Sequence, residues 1–405
     1  MKTNKIIAGM LALCLAGGAL PITDMILLDF SLTASAENEE YTEGNYGYLT
    51  YNNYGDYIEI SDCDESATEI EIPSEIDSLP VTSIGNWAFH ECTSLTEITI
   101  PDSVTSIGMG TFYNCSGLTK ITIPDSVTSI GEAVFYNCSG LTSVKIGNGV
   151  ISIEVNAFSN CNSLTSITIP DSVTSIGKSA FYMCYGLASV TIGNGVTNID
   201  SYAFAGCDGL TSIKIPDSVT NIGLDVFYGC DGLVSIKIGN GVTSIGDAAF
   251  FNCGSLTSIT IPKNVTSIGS YAFYSCSSLA SIIIENPECD MYDSKYTVSD
   301  NATIYGYPGS TAETYAEKYD RTFMRLINLG DVNDDGAINA IDASLVLTEY
   351  ASSATGNELT FTLSQELASD INNDGAINAI DASLILSYYA YISTGGTDSF
   401  EEFLK

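Results

Sequence analysis

Phe112-Tyr-Asn-Cys115-Ser-Gly-Leu118-Thr-Lys-Ile121-Thr-Ile123-Pro-Asp-Ser-Val127-Thr-Ser-Ile130-Gly131 decides the fold, because the chain repeats it. Phenylalanine returns every 23 residues, at Phe89, Phe112, Phe135, Phe158, Phe181, Phe204, Phe227, Phe250 and Phe273. A cysteine follows each by three residues (Cys92 through Cys276) and a leucine by six (Leu95 through Leu279). Then come Ile or Val, one residue, and Ile. Alternating apolar positions place one face of a short strand inward. Ordering the backbone of a single coil costs more than burying its own apolar side chains returns, so neighbours must share faces and ladder hydrogen bonds. A fixed period of this length with this pattern predicts a solenoid of stacked parallel strands. The Gly-x-x-Ala-Phe-x-x-Cys stretch is expected to return on the opposite side as a short helical turn.

The pattern resembles the leucine-rich repeats of the surface-antigen, BspA-like class, over roughly Ala67 to Leu326 including both caps. The resemblance implies an α/β leucine-rich-repeat solenoid with 23-residue coils and parallel strands. The expected layout is a signal peptide over 1–36, an N-terminal cap hairpin over 37–80, repeats over 81–285, a C-terminal cap and short linker over 286–327, and a separate module over 328–405. Tyr46 to Cys63 alternates and reads as the capping hairpin. Ile304 onward reads as a strand, a Pro-Gly turn and a helix capped by Ser310 or Thr311. The nine ladder cysteines are odd in number, parallel in direction and lack C-x-x-C partners, so they are expected to be free, buried and small. Cys63 and Cys289, off this register at opposite ends, are expected to stay unpaired.

A second repeat occupies the last quarter. Asp331-Val-Asn333-Asp-Asp335-Gly336-Ala337-Ile-Asn339-Ala340-Ile341-Asp342 returns 39 residues later as Asp370-Ile-Asn372-Asn-Asp374-Gly375-Ala376-Ile-Asn378-Ala379-Ile380-Asp381. Oxygen-bearing side chains at loop positions 1, 3, 5, 9 and 12, glycine at 6 and a backbone carbonyl at 7 form the spacing of an EF-hand-type Ca²⁺ loop. The candidate ligands are Asp331, Asn333, Asp335, Ala337 (carbonyl), Asn339 and Asp342, then Asp370, Asn372, Asp374, Ala376 (carbonyl), Asn378 and Asp381. Two Ca²⁺ ions are expected, coupled to folding, because the carboxylates of each loop repel one another without a cation. An apolar helical run follows each loop, Ala343–Tyr350 and Ala382–Tyr389.

Twin loop-helix units of this kind resemble a type I dockerin, a small all-α module of cellulosome-forming bacteria. The resemblance covers roughly 328–405 and implies a cohesin module of a scaffoldin as partner. Loop positions 10 and 11 and the following helix read that partner in the family. Here these are Ala340, Ile341, Leu347 and Thr348 in the first copy, and Ala379, Ile380, Leu386 and Ser387 in the second. Many dockerins carry hydroxyl residues at positions 10 and 11, whereas both copies here are apolar, which implies a drier contact and leaves the cohesin type open. Because the copies agree, the resemblance implies docking by either helix, in orientations related by a two-fold rotation.

Composition narrows the rest. Lys2 and Lys5, an apolar run from Ile6 to Ile22, and Ala34-Ser35-Ala36 before Glu37 read as a secretory signal peptide, so the protein is expected to be secreted and extracellular, and the dockerin resemblance further implies cell-surface association through the cellulosome. Leu13 before Cys14 argues against a lipid anchor, and no other segment is apolar enough for membrane insertion. A net charge of −36 with 13 basic residues excludes nucleic acid as partner. His90 is the single histidine, and no triad, dyad or zinc cluster assembles around it. Between the inward strand positions lie Ser143, Lys145, Ser166, Thr168, Ser189, Thr191, Ser212 and Lys214, a flat hydroxylated face without an aromatic platform. Tyr113, Tyr136, Tyr182, Tyr228, Phe251 and Tyr274 form a second stripe, readable as a contact surface or as rings packed between coils with wet hydroxyls. The sequence therefore points to a non-catalytic cellulosome component whose solenoid presents a surface to an unknown protein or glycan. A carbohydrate-active enzyme, which needs a carboxylate pair in a cleft, and a surface adhesin are the alternatives.

Overall fold

Two narrow parallel ladders run along the repeats, their strands pairing 23 residues apart; the two-residue ladder is continuous, whereas the other is divided into four-stranded sheets after Ser143–Lys145 and after Ser235–Lys237. The computed structural model describes residues 40–307, 309–326, 328–355, 360–372 and 374–404. The expected signal peptide lies outside them. The chain divides into two compact units, one reaching Ile282 and including Glu288–Ala302, the other formed by Ile283–Pro287 and Thr303–Lys405.

In the first unit, the expected Leu-x-x-Ile-x-Ile strands appear as Glu97–Thr99, Lys120–Thr122 and Ser143–Lys145, then Ser166–Ile169, Ser189–Ile192, Ser212–Lys214 and Ser235–Lys237. A second ladder is built from dipeptides. Eight two-residue strands run from Ser129–Ile130 to Asp290–Met291 in strict register. The sequence reading did not foresee this ladder, because two residues show no period by themselves. At the N-terminal end, Thr42–Tyr46, Leu49–Asn53 and Ile58–Cys63 form an antiparallel meander. Its last strand pairs parallel with Leu79–Ile84, which hands the register on to Ser106–Ile107.

The stretch around each phenylalanine is not the expected helical turn. Alternate N–H groups bond inside the coil and to the next one: Phe89 N–H donates to Thr111 O at 2.9 Å, while Cys92 N–H donates to Phe89 O at 3.1 Å. Residues two before and two after the phenylalanine sit at positive φ, as at Ser179 (56°) and Met183 (56°). A helix needs every residue right-handed and every N–H turned inward along its own axis, so this alternation excludes it. The amides it frees tie coil to coil.

Inside, the nine phenylalanine rings are fully buried and stack at 5.1 to 5.7 Å between centroids. The ladder cysteines, Cys92 through Cys276, are buried and form no disulfide, as expected. They also carry a bond that spacing alone did not disclose. From Cys115 to Cys276, each thiol donates to the phenylalanine carbonyl of the preceding coil, as Cys184 Sγ does to Phe158 O at 3.1 Å. Ser299 occupies the next register position and donates its hydroxyl to Phe273 O at 2.9 Å, ending the ladder with oxygen in place of sulfur. Burial pushes the Cys184 and Cys230 thiols up to about 12.

The tyrosine stripe divides. Tyr113 is fully buried with its hydroxyl unpartnered, against the expectation of wet hydroxyls, whereas Tyr228 is exposed and stacks on Phe251 at 5.1 Å. In the second unit, Thr303–Gly306 pairs parallel with Phe323–Arg325, and helix α1 (Thr311–Lys318) lies between them in sequence. Ser310 caps α1 by accepting the Glu313 N–H at 3.2 Å, one of the two caps anticipated.

Three outcomes follow from this core. Phe181→Ala opens a cavity in the middle of the ring ladder and should cost about 3–5 kcal/mol in urea unfolding. Thiols titrate near about 8.5 in an unfolded chain, so their raised native values contribute stability that is complete below that pH and is lost as pH rises toward 12. The melting temperature should therefore hold to about pH 8 and fall steadily through about pH 9–11. Native protein should leave an aromatic-disulfide thiol reagent unreacted until it unfolds; fast labelling of the folded chain would refute the buried ladder.

Candidate metal centre and docking face

Helices α2 (Ala340–Ala354) and α4 (Ala379–Ser393) pack against each other, with the shorter α3 (Leu363–Ser369) and α5 (Phe400–Phe403) beside them in sequence. Both long helices start the same way. Asn339 Oδ1 accepts the Ile341 N–H at 2.8 Å, and Asp342 Oδ2 accepts the Asn339 N–H at 2.9 Å. Asn378 and Asp381 repeat this at 2.8 and 2.9 Å. These are capping boxes, and the Asn-x-x-Asp spacing that announces them was present in the sequence but unread. The other oxygen of Asp342 accepts the Val332 N–H at 2.9 Å and the Asn333 N–H at 3.2 Å, with Asp381 doing the same for Ile371 and Asn372. Asp342 and Asp381 are fully buried. Loop position 12 therefore ties the start of each loop to the start of its helix.

The remaining loop residues wind around position 1. Asp331 accepts the N–H groups of Asp335 at 3.1 Å and Gly336 at 2.9 Å; Asp370 accepts those of Asp374 and Gly375 at 3.0 and 2.9 Å. Gly336 and Gly375 sit at φ +84° and +80°, which a side chain at position 6 would strain. Asp335 and Asp374 accept the Ala337 and Ala376 N–H groups at 2.9 Å. The Ala337 and Ala376 carbonyls each accept an amide N–H from position 9, Asn339 or Asn378, at 3.0 Å. Positions 3 and 5 bond to each other, Asn333 Nδ2 to Asp335 Oδ2 at 2.9 Å and Asn372 Nδ2 to Asp374 Oδ2 at 2.8 Å. Among the described residues no group of three His, Cys, Asp or Glu side chains is gathered for a metal. The donor chemistry is oxygen throughout, which suits a hard cation. Asp331 is buried, and burial pushes its carboxyl up against the pull of the Gly336 and Asp335 amides, with Asp342 adding like-charge repulsion. A divalent cation would relieve both costs.

The expected partner-binding residues lie outside this core. Ile341 and Ile380 are 58% and 57% exposed, and Leu347 and Leu386 are 41% and 42% exposed. Ala340, Thr348, Ala379 and Ser387 are exposed as well. Tyr350 and Tyr389, one turn further along, continue both stripes at 42% and 41% and were missed in the sequence. Ile338 and Ile377 instead pack on the core formed by Val332, Ala343, Val346, Ile371, Ala382, Ile385 and Phe400. The interiors of the two copies differ. Glu349 is buried and accepts the Thr360 hydroxyl at 2.8 Å and the N–H groups of Thr360 and Phe361, whereas its counterpart Tyr388 donates to Asp398 O at 3.1 Å and packs on Phe400.

Comparison with known proteins agrees with this division. Residues 61–188 and 174–300 match the BspA type leucine rich repeat region, in six copies, and residues 329–388 match the dockerin type I domain. No curated protein matches the chain. Among solved structures, a leucine-rich repeat protein from Bacteroides ovatus is 24% identical over 71% of this chain and 98% of its own, with a TM-score of 0.52. A leucine rich cell surface protein from Faecalibacterium prausnitzii is 24% identical over 70% of this chain and 94% of its own, at a TM-score of 0.41. The T. pallidum leucine rich repeat protein is 29% identical over 53% and 91%, at 0.40. The first of these likenesses speaks for the fold. Neither matched family is a catalytic domain, and among the described residues no helix is long and apolar enough to cross a membrane.

Glu349→Gln should lower the melting temperature of the helical module, because the replacement supplies a donor facing donors. Hydrogen bonding to Thr360 and Phe361 holds the Glu349 carboxyl low despite opposing burial. Its contribution is therefore present above the ordinary glutamate range and is lost as pH falls below it, so the deficit of the variant should shrink in acid. A pH series of thermal melts for both proteins checks this.

Proposed function

Because the chain belongs to the BspA-type leucine-rich-repeat family and ends in a type I dockerin, we propose that it is a secreted, non-catalytic subunit of a cellulosome. Its dockerin docks onto a scaffoldin cohesin, and its solenoid presents a ligand-binding surface. The observation that carries this reading is the pairing of two oxygen-lined loops with two matched apolar stripes. Each loop is braced to the first turn of the helix that displays its stripe, through Asp342 or Asp381. Two Ca²⁺ ions would be held by Asp331, Asn333, Asp335, the Ala337 carbonyl, Asn339 and Asp342, and by Asp370, Asn372, Asp374, the Ala376 carbonyl, Asn378 and Asp381. Binding would turn the loop carboxylates and the position 7 carbonyls from their internal partners to the ion, fixing the pitch of α2 and α4. Calcium would thus control docking through the shape of the helices.

Either stripe can serve. Ala340, Ile341, Leu347 and Thr348 offer on α2 what Ala379, Ile380, Leu386 and Ser387 offer on α4, at nearly equal exposure. The apolar loop positions 10 and 11 favour a cohesin with a dry, apolar seat. On the solenoid, the turn aspartates Asp125, Asp171 and Asp217 each accept the N–H of Asn148, Asn194 or Asn240 at 2.7 Å. That is turn chemistry, and it supports a binding surface over a catalytic one.

The test is capture of the mature chain by a cohesin panel, with calcium and with chelator. Capture should require calcium and vanish in Asp331→Ala/Asp370→Ala. Ile341→Asp and Ile380→Asp alone should each leave capture within a few fold of the parent, while the double variant should abolish it. Collapse in one single variant with calcium binding intact would rule out two equivalent docking modes, and capture indifferent to calcium would refute the metal's role.

A further inference from the structure

In a chain of net charge −36, the outward strand face of the repeats carries no carboxylate from Lys120 to Thr260. Its outward positions are Ser, Thr or Lys only, and all are exposed. Only seven cations lie between residues 61 and 300, and four of them stand here: Lys120, Lys145, Lys214 and Lys237. Lys120 pairs with Glu97 at 3.2 Å, but the other three have no carboxylate partner among the described residues. The face therefore has the opposite charge to the rest of the molecule.

Its arrangement runs against stability. Lys214 and Lys237 are in-register neighbours on adjacent parallel strands. Like charges side by side on one sheet face are destabilising, and Thr168 and Thr191 show that an uncharged residue fits the same row. Lys145, Thr168, Thr191, Lys214 and Lys237 hold the same position in successive coils, the last four on paired strands about 4.8 Å apart. A shallow groove of about 770 Å³ crosses the row at Lys145, Thr168 and Thr191. Asp171 also lines it, with one carboxylate oxygen occupied by the Asn194 N–H at 2.7 Å.

We propose that this strand face is the solenoid's ligand surface and that it takes an acidic polysaccharide, an extended chain bearing one carboxylate per sugar. The ammonium groups pair with carboxylates along the chain, and the Ser and Thr hydroxyls between them exchange hydrogen bonds with sugar hydroxyls. The absence of apolar or aromatic side chains at outward positions disfavours a protein partner, whose contact would need an apolar centre. Duplex DNA, with a charge every 1.7 Å or so, would meet three unpaired lysines spread over several coils and the acidic remainder of the protein. Charges beyond about 8 Å are largely screened at physiological salt, so the remainder does not prevent binding of a sparsely charged chain at this face. The inference rests on the reading that the solenoid carries ligand recognition, and it is independent of docking.

The experiment is calorimetric titration of the full mature chain, calcium-loaded, with short soluble oligogalacturonates, their methyl esters and single-stranded DNA. The acid form should bind, the ester should not, and added salt should weaken binding. Lys145→Thr/Lys214→Thr/Lys237→Thr should lower affinity about tenfold or more, with a melting temperature no lower than the parent's and unchanged cohesin capture. Asp331→Ala/Asp370→Ala should keep its oligogalacturonate affinity; loss there would mean that calcium in the loops, not the lysines, holds the sugar acid. Equal binding of acid and ester, indifference to the triple substitution, or DNA binding with the same lysine dependence would each overturn the proposal. Failure of cohesin capture alone would overturn the docking reading and leave this one standing.

Discussion

Backbone hydrogen bonds from each coil to the next are what the solenoid depends on. Around every phenylalanine, alternate amides leave their own coil for a carbonyl in the neighbouring one, and both strand ladders do the same on the other sides. Such bonding is satisfied only if each coil has the same length as the last, which is why the period of 23 never slips. The rings stack because the backbone places them in register; the thiols follow, each adding a bond to the carbonyl above the ring. Close approach then becomes part of the register. A Cβ at Gly149 would stand 1.9 Å from Asp125 O, and Gly195 meets Asp171 O in the same way, so the Pro-Asp-Ser and Gly-Asn-Gly turns interlock where they meet.

The dockerin solves a different problem. Its loops must hold several oxygen donors close together, and its helices must present a stripe in a fixed place. One carboxylate links the two tasks. Asp342 caps its helix and gathers the loop's first amides, so a cation held by the loop would also bear on the start of the helix. Asp381 repeats the device. The two copies diverge inside at Glu349 and Tyr388, each of which bonds to a different segment of chain.

Charge separates the two surfaces as well. The loops hold acid and suit a divalent cation; the strand face holds unpaired lysines among hydroxyls and suits a polymeric anion. A strongly acidic whole conceals this, since net charge averages over faces of opposite sign.

Much of this was legible in the linear sequence because it is periodic. The 23-residue spacing specified the stacked strands, the buried Phe, Cys and Leu positions and the free thiols, and the 39-residue spacing specified the twin loops and the helix after each. Periodicity works because identical units must solve the same burial problem identically. What it did not reveal were features made by contact between coils or segments. The two-residue Ser-Ile strands exist only when stacked. The left-handed residues at positions as varied as Trp87, Ser179 and Met183 carry no residue signature, since inter-coil bonds impose the conformation. Ser299 continues the thiol ladder and Glu349 staples a distant loop, and neither is marked in its own neighbourhood. Tyr113, read as one of a stripe, is sealed in by the coils on either side. The sequence determined the repeating unit and its chemistry; tertiary structure alone decided where each unit's spare hydrogen bonds and charges would be spent, because those depend on what the neighbouring segment brings within reach.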